Sequence, residues 1–243
     1  MLKKRIIPTL LYDSSLQVVK PVSFGRPYRS LGTLMQYVNT MERRNIDELM
    51  LMDITSPENN HEPLFDKIKE FTSKLFCPVT VGGGIRKLDH ITKLIQECGA
   101  DKVLIHGALF YDQDFVYRAA RKFGSQAVVA NLAVDYSSII TTRAWVKKLI
   151  EDGAGEIMIT DMDKDGTMKG YNIGLTSNCV SWSTVPIIAN GGCASPEDME
   201  KAFNVGADAV AAGSLFLYTE HTPASCAKYL YEKNVAVRVH NEA

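Results

Sequence analysis

Two clusters of small residues in this chain have the composition of an anion cradle. Gly82, Gly83 and Gly84 stand in a row, with His106 and Gly107 further along, and Gly191, Gly192, Gly213 and Ser214 repeat the device in the second half. Glycine carries no Cβ, so its backbone N–H can come close to a phosphate. Two such cradles on one face suit a ligand phosphorylated at both ends. Glycine also simply turns a chain, and that plainer reading stands beside the first. A second set is ionic: Arg5, Glu48, Lys102 and Glu156 each open a short apolar run. Any one of them could point into water. Two cations and two anions together can instead satisfy one another where isolated buried charges are costly.

The elements that must position these residues recur. "DELMLMDI" at Asp47 to Ile54 returns 108 positions later as "GEIMITDM" at Gly155 to Met162, and Gly82-Gly83-Gly84 returns as Asn190-Gly191-Gly192. "GADKVLIHGALF" from Gly99 is echoed by "GADAVAAGSLF" from Gly206. Such self-similarity marks a fused duplication. Apolar runs predict strands near 5–11, 48–53, 78–82, 102–106, 127–133, 156–160, 186–190 and 208–213. Amphipathic stretches lie between them, such as Leu88, Ile91, Leu94, Ile95 and Cys98, and Ser195-Pro196 with Asp198 signals a helix start. Eight strand–helix units predict one α/β domain over residues 1–243, a single (βα)8 TIM barrel whose halves are about 1–123 and 124–243. In such barrels chemistry sits at the carboxyl ends of the strands.

Composition excludes several functions. A formal charge of −1 gives no electrostatic case for nucleic acid or an anionic membrane. No apolar run approaches the ~20 residues of a membrane span, and "MLKKRIIPTLL" leads into a strand rather than a cleavable signal, so the expected location is cytoplasmic. The five cysteines lack CxxC spacing and read as reduced and structural. His61, His90, His106, His221 and His240 show no ligand spacing and read as surface or loop residues, so no metal is expected, nor any other cofactor.

"KRIIPTLL", "VTVGGGIR", "RKFGSQAVV", "GAGEIMITDMDKDGTMKGYN" and "IIANGGCASPEDMEKAFNVGADA" extend over most of the chain, and with them it resembles the cyclase subunit of imidazole-glycerol-phosphate synthase. The resemblance implies a barrel that takes ammonia from a class I glutamine amidotransferase, a glutaminase subunit docked as a heterodimer at its amino-terminal face. The ammonia is then used on a phosphorylated small molecule at the opposite face. It places Asp165, Gly166, Gly192, Gly213 and Ser214 in the substrate loops of one half, and Gly84 and Gly107 in the other. It assigns Arg5, Glu48, Lys102 and Glu156 to an ammonia gate, Asp101 and Gln126 to the partner side, and Lys20 to a loop lysine able to reach an anion.

The chain departs from the family at the catalytic centre. The family's two acid–base aspartates end strands 1 and 5, where this sequence has Leu11 and Ala133, or Asn131 if the strand is shifted by two. None of these exchanges a proton at neutral pH. Asp13 and Asp135 lie two residues beyond in each half and are the candidate relocated pair, with ordinary turn aspartates as the alternative. The excursion after strand 5, "VDYSSIITTRA", is also shorter than the family's. With these departures the chain is similar to cyclase-like relatives that serve bacterial surface sugars, and that resemblance implies an ammonia-channelling subunit for sugar amidination, acetamido to acetamidino, with a separate sugar amidotransferase as a further partner. The alternatives are a working cyclase of histidine biosynthesis and a non-catalytic scaffold that binds a phosphorylated ligand.

Overall fold

The computed structural model describes residues 3–25, 28–44, 46–55, 61–135 and 137–239. Strand β1 (Arg5–Tyr12) is followed by a hairpin, β2 (Gln17–Lys20) and β3 (Arg29–Thr33), and by helix α1 (Leu34–Glu42). Then come β4 (Leu49–Asp53), α2 (Phe65–Thr72), β5 (Val79–Gly82), α3 (Leu88–Gln96), β6 (Lys102–Ile105), α4 (Ala108–Tyr111) and α5 (Phe115–Phe123). The second half supplies β7 (Val128–Val134), α6 (Ile139–Glu151), β8 (Glu156–Asp161), α7 (Ile173–Trp182) and β9 (Ile187–Asn190). It ends with α8 (Pro196–Asn204), β10 (Ala209–Ala212), α9 (Ser214–Tyr218) and α10 (Pro223–Glu232).

Strand β1 pairs in parallel with β4 on one side and with β10 on the other, Arg5 lying against Ala209 and Thr9 against Met50. With β4 to β10 each parallel to the next, the sheet closes into an eight-stranded (βα)8 barrel. Closure removes sheet edges, and parallel strands covered by helices become apolar on both faces. Every predicted strand is present. The β2–β3 hairpin was not anticipated; it starts from a turn in which Asp13 Oδ1 accepts bonds from the Ser15 and Gln17 amides.

Helix starts follow local chemistry. Thr33 and Gln36 form a capping box on α1, as Thr222 and Ser225 do on α10. At α8, Pro196 occupies the first turn and Asp198 accepts from the Ala194 amide at 3.1 Å. Among the described residues no helix is long and apolar enough to cross a membrane. All five cysteines are free thiols; burial pushes Cys179, Cys193 and Cys226 up to about 12.

Alternate strand residues face the barrel axis and stack in layers. Arg5, Glu48, Lys102 and Glu156 form the floor. Above it lies a buried apolar layer of Ile7, Met50, Leu104, Val129, Met158, Ile188, Ala209 and Ala211. Over that layer the interior opens toward the carboxyl ends of the strands.

Candidate functional site

The floor residues make a closed ring. Arg5 Nη1 donates to Glu48 Oε2 at 2.7 Å and Nη2 to Glu156 Oε2 at 2.7 Å. From the other side, Lys102 Nζ meets Glu156 Oε1 at 2.8 Å and both oxygens of Glu48 at 3.2 Å. Thr80 Oγ1 adds a bond to Glu48 Oε1 at 2.8 Å. Burial raises the carboxyl of Glu156, but Arg5 and Lys102 outweigh it and hold that carboxyl below its ordinary value. Burial would likewise lower Arg5, and the two glutamates reverse the effect and raise it. Alternating charge with several donors on each carboxylate is the arrangement in which a desolvated ion cluster is sustained.

At the opposite end of the axis is a cavity of about 470 Å³. Its floor carries Thr9, Leu11, Met52, Asn131, Thr160 and Asn190, and its rim includes Phe24, Tyr28, Phe110 and Tyr111. Asn190 Nδ2 donates to Thr160 Oγ1, which donates to Asn131 Oδ1 at 2.8 Å. His106 Nδ1 lies 2.9 Å from the Asn131 carbonyl. A carbonyl only accepts, so this nitrogen carries the proton and a neutral ring keeps its lone pair on Nε2.

Gly83, Gly84, His106, Gly107, Lys20, Asp165 and Gly213 line this cavity. Gly166, Gly191, Gly192 and Ser214 line an adjoining notch. Gly82 lies in β5 against Leu104. The fold itself also requires glycine at two of these positions. A Cβ on Gly83 would come 2.3 Å from the Asp53 carbonyl oxygen, and one on Gly191 2.6 Å from that of Asp161, both at positive φ. Close approach of the chain to itself therefore requires glycine at both duplicated positions. Gly107 has open space where a Cβ would stand. Ser214 Oγ is buried and has no hydrogen-bond partner among the described residues, at the start of α9. An unsatisfied hydroxyl beside Gly213 is the feature that asks for a polar ligand.

Lys20 does not stand free. Its Nζ lies 2.9 and 3.0 Å from the two oxygens of Asp165, with both side chains nearly buried. Ser23 N donates to the Asp165 carbonyl at 2.7 Å, so the hairpin that follows β1 is fastened to the loop after β8.

Neither Asp13 nor Asp135 is among the residues lining the cavity. Asp13 Oδ1 accepts from the Ser15 hydroxyl and two amides. Asp135 Oδ1 accepts from the Ser137 hydroxyl and the Ser138 amide, and bonds from these serines hold its carboxyl below its ordinary value. Of the strand-end positions themselves, Leu11 and Asn131 line the cavity and Ala133 does not. Asp101 Oδ2 accepts from the Val79 amide at 2.8 Å, and Gln126 lies in the exposed turn before β7, both at the amino-terminal end of the barrel.

Two groups that the sequence does not assign to the site meet there. Asp53 ends β4, and His61 Nε2 sits 2.8 Å from its Oδ2, with both residues on the cavity wall. His61 is a loop residue as expected and stands on the cavity wall, while His90 is buried rather than at the surface. The strand-end rule pointed to Asp53. No local signal pointed to His61. Among the described residues, no group of three or more His, Cys, Asp or Glu side chains is placed to hold a metal ion.

Residues 5–222 match the family model described as "Histidine biosynthesis protein". The chain is 37% identical to the imidazole glycerol phosphate synthase subunit HisF of Dictyoglomus thermophilum, over 98% of this chain and 100% of that one. It is 35% identical to the HisF subunit of Thermococcus onnurineus, over 98% and 99%. A third relative, from Campylobacter jejuni and provisionally named imidazole glycerol phosphate synthase subunit hisF2, is 34% identical over 98% and 100%.

Proposed function

Given that the chain belongs to the histidine biosynthesis protein family, among its HisF-type cyclase subunits, we propose that it conducts ammonia through the barrel for sugar amidination rather than for ring closure. In this reading a class I glutaminase subunit docks at the amino-terminal face, beside Asp101 and Gln126, and releases ammonia beneath the ring of Arg5, Glu48, Lys102 and Glu156. Swinging one cation aside opens the floor. The apolar layer above then acts as a charge filter, because ammonia can cross it neutral while ammonium would have to shed its water. The acceptor waits in the cavity, where a separate sugar amidotransferase completes the change from acetamido to acetamidino.

One observation supports diversion from cyclisation above the rest. The inward positions at the ends of β1 and β7 hold Leu11, Asn131 and Ala133, and a positioned acid or base typically contributes 10²–10⁴-fold each. A ring with four charges in mutual contact has no use in a pure binding scaffold, so the scaffold reading ranks below.

A working cyclase of histidine biosynthesis is the second reading, favoured by the names of the relatives. It needs Asp13 and Asp135 to swing out of their turns. Complementation of a strain lacking the histidine cyclase subunit separates the two. The proposal expects no growth without histidine despite soluble expression; growth supports the second reading. In that event, Asp13→Asn and Asp135→Asn test the relocated pair, and unchanged turnover removes it.

A further inference from the structure

The duplication lets two aspartates be compared at one place in the fold. Asp161, the mate of Asp53 in the second half, is spent on structure. Its Oδ1 accepts from the Lys164 amide at 2.9 Å and its Oδ2 from the side-chain amide of Asn172, the N-cap of α7, at 2.7 Å. Asp53 uses Oδ1 in the same way, accepting from the Thr55 amide at 2.8 Å, but its Oδ2 faces His61. Its side chain is 2% exposed and that of His61 is 19% exposed.

The segment that carries the imidazole is packed against the loop after β5. Backbone atoms of His61, Glu62 and Pro63 pack 3.1–3.2 Å from where a Gly84 Cβ would stand. Glu62 is tied to Lys87 and His90, each at 3.3 Å. A carboxylate only accepts, so His61 Nε2 must donate to Asp53, and Nδ1 carries the lone pair of the neutral ring. Around the pair, the hydroxyls of Tyr12 and Thr55 are buried with no hydrogen-bond partner among the described residues. The other ionisable groups on the cavity wall are Tyr28, Arg86, His106, Tyr111 and the Lys20–Asp165 pair.

We propose that His61, oriented by Asp53, is the proton-transfer group of this cavity when ammonia adds to its acceptor. The inference rests on the ammonia-transfer reading above. When ammonia adds to an electrophilic carbon of the acceptor, an N–C bond forms from the nitrogen lone pair. The electron pair displaced from that carbon moves onto the acceptor's own heteroatom. The nitrogen is left positive, and His61 Nδ1 takes one of its protons, giving a neutral amine and an imidazolium balanced by Asp53. Asp53 is the positioning residue.

The test uses the full chain in its native host. A deletion strain is rescued with wild type, His61→Gln or Asp53→Asn at matched soluble level, and the initial rate at which amide-¹⁵N from glutamine enters the surface sugar is followed by mass spectrometry. Wild type restores labelling, and His61→Gln lowers the rate by roughly 100-fold or more. Asp53→Asn lowers the rate as well, and Asp53→Glu, which keeps a carboxylate to accept from Nε2, recovers part of it, a rescue that loss of packing alone would not give. A His61→Gln rate equal to wild type, in a host whose deletion abolishes labelling, overturns the inference alone. If the deletion instead leaves labelling intact and stops growth without histidine, the sugar reading falls, and growth of the same variants decides on His61 with the same two outcomes. Histidine ¹⁵N NMR of the purified chain checks orientation directly: a neutral His61 protonated on Nδ1 rather than Nε2 also overturns it.

Discussion

Arg5 and Glu156 meet through a two-pronged contact, Nη1 to Oε1 at 3.2 Å and Nη2 to Oε2 at 2.7 Å, although 151 residues separate them in the chain. Because Nη1 also reaches Glu48, one guanidinium neutralises both halves of the duplication. Arg5→Ala leaves two carboxylates facing one lysine in a largely desolvated floor. Breaking such a cluster costs about 3 kcal/mol. The urea midpoint should fall with an unchanged slope, and Arg5→Lys should recover only part of the loss, since a point charge cannot replace the fork.

Acid should act through the same ring. Glu156 has its folded value depressed below the ordinary 4.5, so its stabilisation is fully present above that value and is lost as pH falls through the depressed one. Glu156→Gln removes this contribution. The variant should be less stable than wild type near neutrality, with the difference narrowing toward acid, as read by chemical denaturation over a pH series.

The buried Lys20–Asp165 pair fastens the hairpin to the opposite half of the barrel. Lys20→Met strands a carboxylate that is 12% exposed, so the contact between the loops should loosen. Amide hydrogen exchange at Ser23, which donates to the Asp165 carbonyl, should speed up by at least about tenfold, consistent with roughly 1.4 kcal/mol of lost protection. An unchanged exchange rate there removes the fastening role.

Gly83→Ala and Gly191→Ala should be similarly damaging, each by about 2 kcal/mol or more, because a Cβ at either place collides with a backbone carbonyl at positive φ. Gly107→Ala meets open space and should leave the melting temperature within a few degrees of wild type. Thermal melts of the three variants check the contrast.

Ser214→Ala removes a buried hydroxyl with no partner among the described residues, so unliganded stability should hardly change. Inorganic phosphate should raise the melting temperature of wild type more than that of the variant. Equal shifts would mean that phosphate does not use this hydroxyl.

Residue order by itself determined the eight strands, their duplication, and the four members of the ionic ring. These are local patterns: apolar runs of strand length, a charge at the start of four of them, and a repeat at fixed offset. The alternation of side chains then sends Arg5, Glu48, Lys102 and Glu156 to one level inside a closed barrel. Tertiary structure alone decided what lies around the cavity. Lys20 appears free in the sequence but is paired with a residue 145 positions away. At Gly83 and Gly191 the backbone carbonyls of Asp53 and Asp161 exclude a side chain, a requirement that only the fold reveals. His61 carries no neighbouring motif, and its place 2.8 Å from Asp53 is set only in the folded chain. Contacts of that kind depend on which loops share a face once the barrel closes, and no local pattern encodes it.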